Sequence, residues 1–498
     1  MKKPRKYQLE CFDAIRKAFR DGKKRIIAEA ATGTGKGTIV ALVAKMAREK
    51  NKRVLAIVNR DVLVSQLLAD LVEHKVDCHR EQAKERASNN ADVVVGSVQS
   101  MGGKWLSRWP RNYFDIVICD EVQFSTANTF RAILDHFESS FHIGLTATAE
   151  RHDKKSLWKG YEDIIYRLPL KTWTDKETSE VTLGAIDDGW LVGFTFEELP
   201  VPITLDDAVA SGKKEMSDEQ GDEYFDKSGY LPRLFSEASI AMKGTKGLAF
   251  LPGCKASEAC AKAMVDNGVN ARHIDGYMSK NEVREILEWF KETKECVLCN
   301  AQMLTFGFNE PSINCIGVFR IIRSTPNYKQ ILGRGTRPNC NVDSCSDQSE
   351  RLAMIAASVK PTCRVIDLMI QNEDHNLATP SCLITDDAEE KHAMDKARKQ
   401  GTVDLSKLGD DLQKRRIADK EKQLEQLAND AANAAEKRKL KTPYIKHILD
   451  MRPRPNSNPI SDKQIRFAKN LGFKGPFEGL TKYQGMKIIE VYLSHKQK

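Results

Sequence analysis

The segment from Ala31 to Thr38 reads A-T-G-T-G-K-G-T, and it decides the fold more than any other stretch of the chain. The apolar run I-I-A-E-A precedes it, and a helical pattern from Ile39 to Arg48 follows it. A glycine-rich turn between a strand and a helix places backbone N–H groups and the positive helix N-terminus around an anion. We therefore predict a phosphate-binding loop in which Lys36 is the cation for the β- and γ-phosphates of a nucleotide. The predicted loop residues are Thr32, Gly33, Thr34, Gly35, Lys36, Gly37 and Thr38.

A second segment, D-I-V-I-C-D-E-V-Q, places two acids directly after a short apolar strand. Ligands of α/β sheets bind at the carboxyl ends of strands, where Asp120 and Glu121 stand. We expect Asp120 to hold the shell of a Mg²⁺ ion and Glu121 to orient or deprotonate an attacking water. The alternative is an acidic pair that is merely solvated.

A third segment, Q-I-L-G-R-G-T-R, runs from Gln330 to Arg337 and places Arg334 three residues before Arg337. At this spacing the two guanidinium groups share one helical face. Delivered from a second domain, they can stabilise the charge of phosphoryl transfer and distinguish ATP from ADP. We therefore expect ATP and Mg²⁺ as cofactors. The predicted catalytic residues are Lys36, Asp120, Glu121, Gln330, Arg334 and Arg337.

Apolar strands alternate with helical stretches twice along the chain, first from Ile26 to about Leu168 and again from about Gly247. Such alternation produces parallel sheets with helices on both faces. We predict an α/β protein with two tandem parallel-sheet domains, an α-helical C-terminal extension and a small basic helical module. The expected boundaries are 1–170 for the first domain, 171–240 for connecting strands and an acidic insertion, 241–380 for the second domain, 381–441 for a charged helical spacer, 442–459 for a Pro-rich linker and 460–498 for the module. Residues 205–228 are acid-rich and are expected to be irregular.

The order of the motifs resembles that of the superfamily 2 helicases over roughly residues 1–375, most nearly the DEAD/DEAH-like DNA helicases of phages, which are related to bacterial DNA-repair helicases. The resemblance implies two RecA-like domains with ATP in the cleft between them. The further motifs that carry it are R-K-Y-Q from Arg5, V-N-R-D-V-L-V-S-Q from Val58, V-V-V-G-S-V-Q from Val93, L-T-A-T-A from Leu145 and N-A-Q-M-L-T-F-G-F-N-E-P from Asn300.

Functional roles follow from this resemblance at the matching positions. It implies that Gln8 reads the adenine base together with Arg5, and that Gly307 contacts the nucleotide. It implies nucleic-acid binding by Arg60, Gln66, Ser97, Gln99 and Thr305. It implies that hydrolysis is coupled to strand movement through Gln123, Thr146 and Thr148.

Two positions depart from the family pattern. Gly37 stands where a Ser or Thr hydroxyl usually binds Mg²⁺, and Thr38 is one residue late. We expect an active ATPase with altered metal affinity, in which a water takes the place of the hydroxyl. Asn309 stands where the family usually has Asp, so a carboxylate role there is lost.

Charge is concentrated at one end of the chain. The formal net charge is +9, and residues 441–498 hold 12 Lys and Arg against 4 Asp and Glu. A basic appendage on a nearly neutral motor predicts a sequence-independent phosphate contact whose affinity falls with salt. A solubilising lysine-rich surface is the alternative. No apolar run is long enough to span a membrane, and we expect a cytoplasmic protein, or one in the host cytoplasm if a phage encodes it.

The cysteines and two tryptophans each admit two interpretations. The 12 cysteines fit a reducing compartment, and Cys296 and Cys299 should point to opposite faces of a strand. Metal binding by Cys340, Cys345, Cys363 and Cys382 stays open as the alternative to reduced thiols. Trp105 and Trp109 are either strand-stacking residues or buried anchors beneath a loop, the commoner role of such side chains.

The last residues predict a module of two capped helices. Ser461 with Gln464, and Thr481 with Gln484, each form a capping-box pattern, and Gly472 should end the first helix. Its basic rim suits duplex or forked DNA, or docking of a replication or recombination protein.

These features predict an ATP-dependent DNA helicase or translocase that acts on single-stranded, forked or branched DNA in replication, recombination or repair. An RNA helicase, a translocating motor without strand separation and a restriction-type motor subunit are alternatives. A nucleic-acid-binding adaptor with a decayed ATPase is an alternative from a different class, suggested by Gly37 and Asn309.

Overall fold

The computed structural model describes residues 3–59, 61–82, 85–122, 128–138, 140–147, 160–174, 181–210, 212, 215–305, 307–371, 377–383, 388–399, 411, 418, 448–451 and 457–494. The chain divides into two compact units, the first formed by Met1–Lys171 with Leu183–Val403 and the second by Thr172–Thr182 with Asp404–Lys498. The first unit contains two lobes, each built around one parallel sheet.

The first lobe contains a seven-stranded sheet in the order β3-β4-β2-β5-β6-β1-β7, and every neighbouring pair is parallel. Its strands are β1 (Arg25–Ala30), β2 (Val54–Val58), β3 (His79–Glu81), β4 (Val93–Ser97), β5 (Ile116–Cys119), β6 (Phe141–Thr146) and β7 (Asp163–Leu168). Its helices are α1 (Lys6–Arg20), α2 (Lys36–Glu49), α3 (Asp61–Glu73), α4 (Val98–Met101) and α5 (Asn128–His136). Strands β2 and β5 in the middle of the sheet are apolar throughout, as is typical of strands buried on both faces.

Two short strands, β8 (Trp173–Thr174) and β9 (Val181–Thr182), pair antiparallel and belong to the second unit. The second lobe of the first unit then contains a six-stranded parallel sheet in the order β10-β15-β14-β11-β13-β12. Its strands are β10 (Gly193–Ile203), β11 (Lys246–Phe250), β12 (Ala271–His273), β13 (Cys296–Asn300), β14 (Cys315–Val318) and β15 (Thr362–Ile370). Its helices are α6 (Asp207–Ala210), α7 (Asp218–Lys227), α8 (Leu231–Met242), α9 (Cys254–Asp266), α10 (Lys280–Glu292), α11 (Thr325–Leu332) and α12 (Gln348–Ala356).

These two sheets confirm the predicted α/β fold with tandem parallel-sheet domains. The region expected to connect the domains differs from the prediction. Strand β10 pairs with β15 over nearly its whole length and is therefore the edge of the second sheet. The prediction that residues 205–228 are irregular was wrong, because α7 forms there. Ser217 and Gln220 form a capping box at the start of α7, in which each side chain accepts a hydrogen bond from the backbone N–H of the other residue.

Strand β13 separates two cores through its alternating side chains. Cys296 packs with Leu298 on one face, and Cys299 packs with Val297 on the other. This confirms the prediction that the two thiols point apart. All twelve cysteines are unpaired, and no cluster of three metal-ligating side chains occurs within the described residues.

The C-terminal module folds as predicted around its own small core. Helices α14 (Asp462–Asn470) and α15 (Lys482–Ser494) begin at the two capping boxes, and Gly472 has a φ of +93° after the first helix. The core consists of Ile448, Phe467, Ala468, Leu471, Phe473, Leu480, Ile488 and Ile489. One further helix, α13 (Ala388–Lys399), lies between the second lobe and this module in the sequence. Most of the predicted spacer and part of the predicted linker lie outside the described residues.

The described helices include none with the length and apolarity needed to cross a membrane.

Candidate functional site

The predicted phosphate loop lies between β1 and the start of α2, as the sequence indicated. Gly33 and Gly35 have φ values of +92° and +76°, a region that residues with a Cβ rarely adopt. A Cβ on Gly35 would lie 2.9 Å from the side-chain nitrogen of Gln8, so the tight approach of α1 also requires glycine there. The loop is thereby held in a tight turn that leads into the N-terminus of α2, a place suited to an anion.

Lys36 and Glu121 form an ion pair inside this loop. The Lys36 Nζ lies 3.1 Å from Glu121 Oε1 and donates to the Ala30 carbonyl at 3.4 Å. Glu121 is the second residue after the end of β5 and has a φ of +54°, which is uncommon for a residue with a side chain. The ion pair brings the predicted phosphate cation and the predicted general base together at the carboxyl end of the sheet.

Asp120 lies beside this pair. Burial, and then the charge of Glu121, raise the pKa of the Asp120 carboxyl, while the Lys36 charge acts in the opposite direction. Asp120 also accepts a hydrogen bond from the Glu121 backbone N–H at 3.0 Å. A carboxyl group held in this way gains strongly from a nearby cation, as expected for a Mg²⁺ site.

The predicted adenine-reading segment braces the loop. The Gln8 amide donates to the carbonyl oxygens of Thr34 and Gly35 at 2.9 and 3.2 Å. Tyr7, which the sequence singled out only as part of the motif, donates its hydroxyl to Thr34 at 2.6 Å. Arg5 reaches Asp343 of the second lobe at 2.6 Å and so ties the two lobes together.

The second lobe presents its arginine pair to the same region. Arg334 donates to the Phe308 carbonyl at 2.6 Å, and Arg337 donates to the same oxygen at 3.3 Å. Burial, with a further effect from Arg337, lowers the pKa of Arg334 to about 9, and the charge of Glu121 opposes this change. Burial likewise lowers the pKa of Arg337 to about 10. The charges of Arg334 and Glu121 therefore attract each other across the cleft.

The loop and the arginine segment are in direct contact. A Cβ on Gly33 would lie 2.9 Å from the Thr336 hydroxyl, and one on Gly333 would lie 2.5 Å from the Thr32 side chain. The Val192 N–H also donates to the Thr336 carbonyl at 2.7 Å. The two lobes thus meet where the predicted nucleotide would bind.

Several polar atoms in this cleft are buried without a hydrogen-bond partner. Within the described residues, these include the Thr32 hydroxyl and both polar atoms of the Gln330 side-chain amide. Buried polar atoms are costly unless they are satisfied, so a ligand rich in hydrogen-bond acceptors and donors is expected here. The groups of this cleft fit a nucleotide with Mg²⁺. The N-terminus of α2, Lys36 and the arginines suit its phosphates, and the two acids suit the metal ion.

The predicted nucleic-acid and coupling residues lie in different settings. Gln99 is exposed and donates to the Asn59 carbonyl at 3.0 Å, and Gln66 is half-buried on α3. Ser97 is fully buried, and its hydroxyl caps α4 by accepting from Ser100. Thr305 and Thr146 are buried, and Gly307 has a φ of +73°. Arg60, Gln123 and Thr148 lie outside the described residues.

The two tryptophans lie in different settings. Trp109 is 2% exposed and packs against Tyr113 and Phe114, which makes it an anchor. Trp105 is 46% exposed, and the Arg86 guanidinium lies 3.4 Å from its ring centroid. Arg86 therefore covers one face of the Trp105 ring, and strand stacking by Trp105 stays a prediction.

Sequence reasoning missed two residues of the cleft. Asp70 on α3 lies against Gly37, and Lys360 is buried while it donates to the carbonyl oxygens of Pro311 and Arg337 at 2.9 and 2.7 Å. Neither lies within a motif. In the sequence, only the unusual glycine at residue 37 hinted at a side chain such as Asp70 from elsewhere in the fold. No sequence pattern indicated Lys360.

Fold and cleft together define a class: two-lobed RecA-like proteins with a phosphate loop in one lobe and a facing arginine pair in the other. Residues 1–151 match the family described as type III restriction enzyme, res subunit, and residues 227–339 match the helicase conserved C-terminal domain. The chain belongs to the superfamily 2 helicase-like family, among relatives of type I and type III restriction enzyme subunits and of Irc3.

Individual relatives agree with this placement. IRC3 of Saccharomyces cerevisiae, named as a candidate ATP-dependent helicase, is 28% identical over 361 residues, which are 68% of this chain and 50% of IRC3. A 51.5 kDa protein of a Lactococcus phage is 23% identical over 61% of each chain. The chain spans about half of the length of the IRC3 relative that it matches.

Two solved structures share the fold. A fragment of a candidate HsdR subunit of a type I restriction enzyme from Vibrio vulnificus has a TM-score of 0.53 at 20% identity, and the match covers 75% of this chain and 66% of the fragment. The type ISP restriction-modification enzyme LlaBIII, solved bound to DNA, has a TM-score of 0.53 at 14% identity, and the match covers 100% of this chain and 40% of LlaBIII.

Proposed function

We propose that this protein is an ATP-dependent DNA helicase or translocase that couples ATP hydrolysis to movement on single-stranded, forked or branched DNA. One observation carries the ATPase part of the proposal. Lys36 and Glu121 of one lobe meet Arg334 of the other in a cleft where Thr32 and Gln330 keep unsatisfied polar atoms.

The side chains divide the chemistry of hydrolysis among them. Lys36 exchanges its contact with Glu121 for the phosphates of ATP, and this exchange releases the carboxylate to accept a proton from water. Arg334 donates from the opposite lobe to the charge that develops on the transferred phosphoryl group. A bound Mg²⁺ would supply positive charge that offsets the charge of the phosphates. Asp120 is the residue that would hold it.

Movement follows from the contact between the lobes. Because a γ-phosphate gives Arg334 and Arg337 an anionic partner from the other lobe, ATP favours the closed cleft and hydrolysis favours its opening. Nucleic acid gripped alternately by the two lobes would then be moved in steps. Gln99 and Trp105 are exposed residues of the first lobe that suit this grip.

DNA as the polymer is supported by the restriction-enzyme family match and by LlaBIII, whose structure contains DNA. The proposed biological setting is replication, recombination or repair, in which the C-terminal module binds DNA or a replication or recombination protein. The proposed domain boundaries keep the motor within residues 1–380. The module of residues 460–498 also takes Ile448 of the predicted linker into its core.

The test is ATP hydrolysis by the intact protein and by Glu121→Gln with no polymer, with single-stranded DNA, with forked DNA and with RNA. We expect turnover that rises with DNA and falls by about 10²-fold or more in the variant. Greater stimulation by RNA would make the protein an RNA helicase. No turnover with any polymer would leave a binding adaptor instead.

A second measurement separates translocation from unwinding. We expect displacement of a strand from a tailed or forked duplex to depend on ATP and to be lost in Glu121→Gln. DNA-stimulated hydrolysis without strand displacement on any of these substrates would identify a translocase or a restriction-type motor.

A further inference from the structure

At Gly37, where related phosphate loops have a Ser or Thr hydroxyl, the space beside the backbone is filled by the carboxylate of Asp70. A Cβ built on Gly37 would lie 2.0 Å from Asp70 Oδ2, 2.8 Å from its Cγ and 3.0 Å from its Cβ. Distances this short mean that a side chain at residue 37 and the carboxylate of Asp70 compete for the same space. An oxygen of Asp70 therefore occupies the place toward which a serine or threonine side chain at residue 37 would extend.

The position of Asp70 is fixed by the packing of its helix. Val64, Leu67 and Leu71 of α3 are buried in the core of the first lobe at the spacing of one helical face. Asp70 directly precedes the buried Leu71 and therefore lies beside the buried face of α3. From there its side chain reaches Gly37 at the start of α2. The same helix turn is secured by His74, whose backbone N–H and ring Nδ1 both lie within hydrogen-bond distance of the Asp70 carbonyl oxygen.

The charge of Asp70 also acts on the second lobe. It favours the charged form of Arg337. The Asp70 carboxylate thus lies near the loop and near one of the facing arginines.

We propose that Asp70 supplies the Mg²⁺ ligand that the loop hydroxyl supplies in related proteins, and that Gly37 is glycine because the carboxylate needs this space. This proposal rests on the proposed function, since the metal enters the site with a nucleotide. Carboxylate oxygens are preferred ligands of Mg²⁺, and a carboxylate brings a charge that a hydroxyl lacks. In this proposal the metal ligand has moved from residue 37 to Asp70. The glycine at residue 37 is then compatible with an active ATPase.

The experiment measures binding of a fluorescent ADP analogue to the full chain while Mg²⁺ is varied, with an EDTA sample as the metal-free reference. In Asp70→Ala we expect the Mg²⁺ concentration for half-maximal effect to rise by about tenfold or more, with unchanged binding in EDTA. Glu73→Ala removes an exposed carboxylate from the same helix and should retain the native Mg²⁺ dependence.

A second variant tests the exchange of ligands directly. In Gly37→Ser/Asp70→Ala the hydroxyl has the space that Asp70 left, so we expect most of the native Mg²⁺ dependence to return. Thermal melts of each variant report whether it is folded. A native Mg²⁺ titration in Asp70→Ala, or a double variant no better than Asp70→Ala, would overturn the role of Asp70.

The two proposals fail in distinguishable ways. If every variant binds the ADP analogue in EDTA and only the expected Mg²⁺ differences are missing, the role of Asp70 is wrong and the nucleotide site stands. If the native protein binds no nucleotide with or without Mg²⁺, both proposals are wrong.

Discussion

The ammonium group of Lys36 lies 3.1 Å from a carboxylate oxygen of Glu121, and the two side chains retain only 11% and 9% of their exposure. A single buried charge without its partner has a high desolvation free energy. The pair therefore stabilises the fold mainly by avoiding an unpaired buried charge. It thus stabilises the cleft as well as serving hydrolysis, and it must be broken when a phosphate binds Lys36.

Lys36→Met should lower both stability and nucleotide affinity. Loss of the buried lysine partner of Glu121 is expected to reduce the free energy of unfolding by about 3 kcal/mol. Lys36→Met/Glu121→Gln should recover most of this stability without recovering nucleotide binding. Urea denaturation and binding of a fluorescent nucleotide measure the two effects. Lys45→Met, at an exposed position of the same helix, is the control. A Lys36→Met protein as stable as the native one would contradict the expected cost.

Arg334→Lys should separate binding from hydrolysis. The guanidinium donates to the carbonyl oxygens of Phe308 and Gln330 at 2.6 and 3.4 Å, and an ammonium group cannot reproduce this fork. We expect single-turnover hydrolysis to fall by about 10³-fold while nucleotide affinity changes little. Arg284→Lys, an exposed position on α10, controls for the substitution itself. Equal losses of affinity and hydrolysis would indicate that Arg334 serves ground-state binding.

Local sequence was sufficient for the parts of the fold that depend on local patterns. The alternation of apolar strands and helices predicted both parallel sheets, and the capping boxes at Ser461 and Thr481 predicted both helices of the module. The same rule was available at Ser217 and Gln220, where the acidic composition was instead taken to indicate an irregular segment. A capping box is a stronger signal than composition because it satisfies specific backbone groups.

The cleft was predictable only where motifs mark it. Lys36, Glu121 and Arg334 lie in motifs, and the structure brings their charges together. Asp70 reaches Gly37 through the packing of α3 against the first lobe, a tertiary contact that no spacing rule contains. The motif that contains Ser97 likewise did not indicate that the Ser97 hydroxyl caps α4, and the nucleic-acid contact of Ser97 stays a prediction.

Lys360 should make stability depend on pH. Burial lowers the pKa of its amine from 10.5 to about 8, so between these values the unfolded chain binds more protons than the folded one. Stability contributed by this group therefore rises with pH across that window, by about 2 kcal/mol between pH 7.5 and 9.5. Urea denaturation of the native protein and of Lys360→Met at several pH values isolates the effect, because other titrating groups cancel in the difference.

The matched control for this experiment is Lys280→Met at an exposed position of α10. Its difference from the native protein should stay constant with pH. The same constant difference in Lys360→Met would show that the buried amine keeps its proton throughout the window.

Salt should separate the motor from the basic C-terminal residues. Residues 441–498 carry 12 basic against 4 acidic side chains, and in α14 and the turn after it Lys463, Arg466, Lys469 and Lys474 are all exposed. If these four contact phosphates, changing all of them to Gln should weaken binding to single-stranded DNA and reduce the slope of log K against log salt by about 2 to 3. Deletion of residues 441–498 should have a larger effect of the same kind and leave basal ATP hydrolysis intact.

The control removes the same charge from another surface. Lys280, Arg284, Lys291 and Lys294 are exposed residues in and after α10 of the second lobe, and their change to Gln should leave the salt slope nearly native. Fluorescence anisotropy with a labelled oligonucleotide at several salt concentrations compares the two variants. Equal slopes for both variants would mean that only the total charge matters, in which case the basic C-terminal surface keeps the protein soluble and makes no phosphate contact of its own.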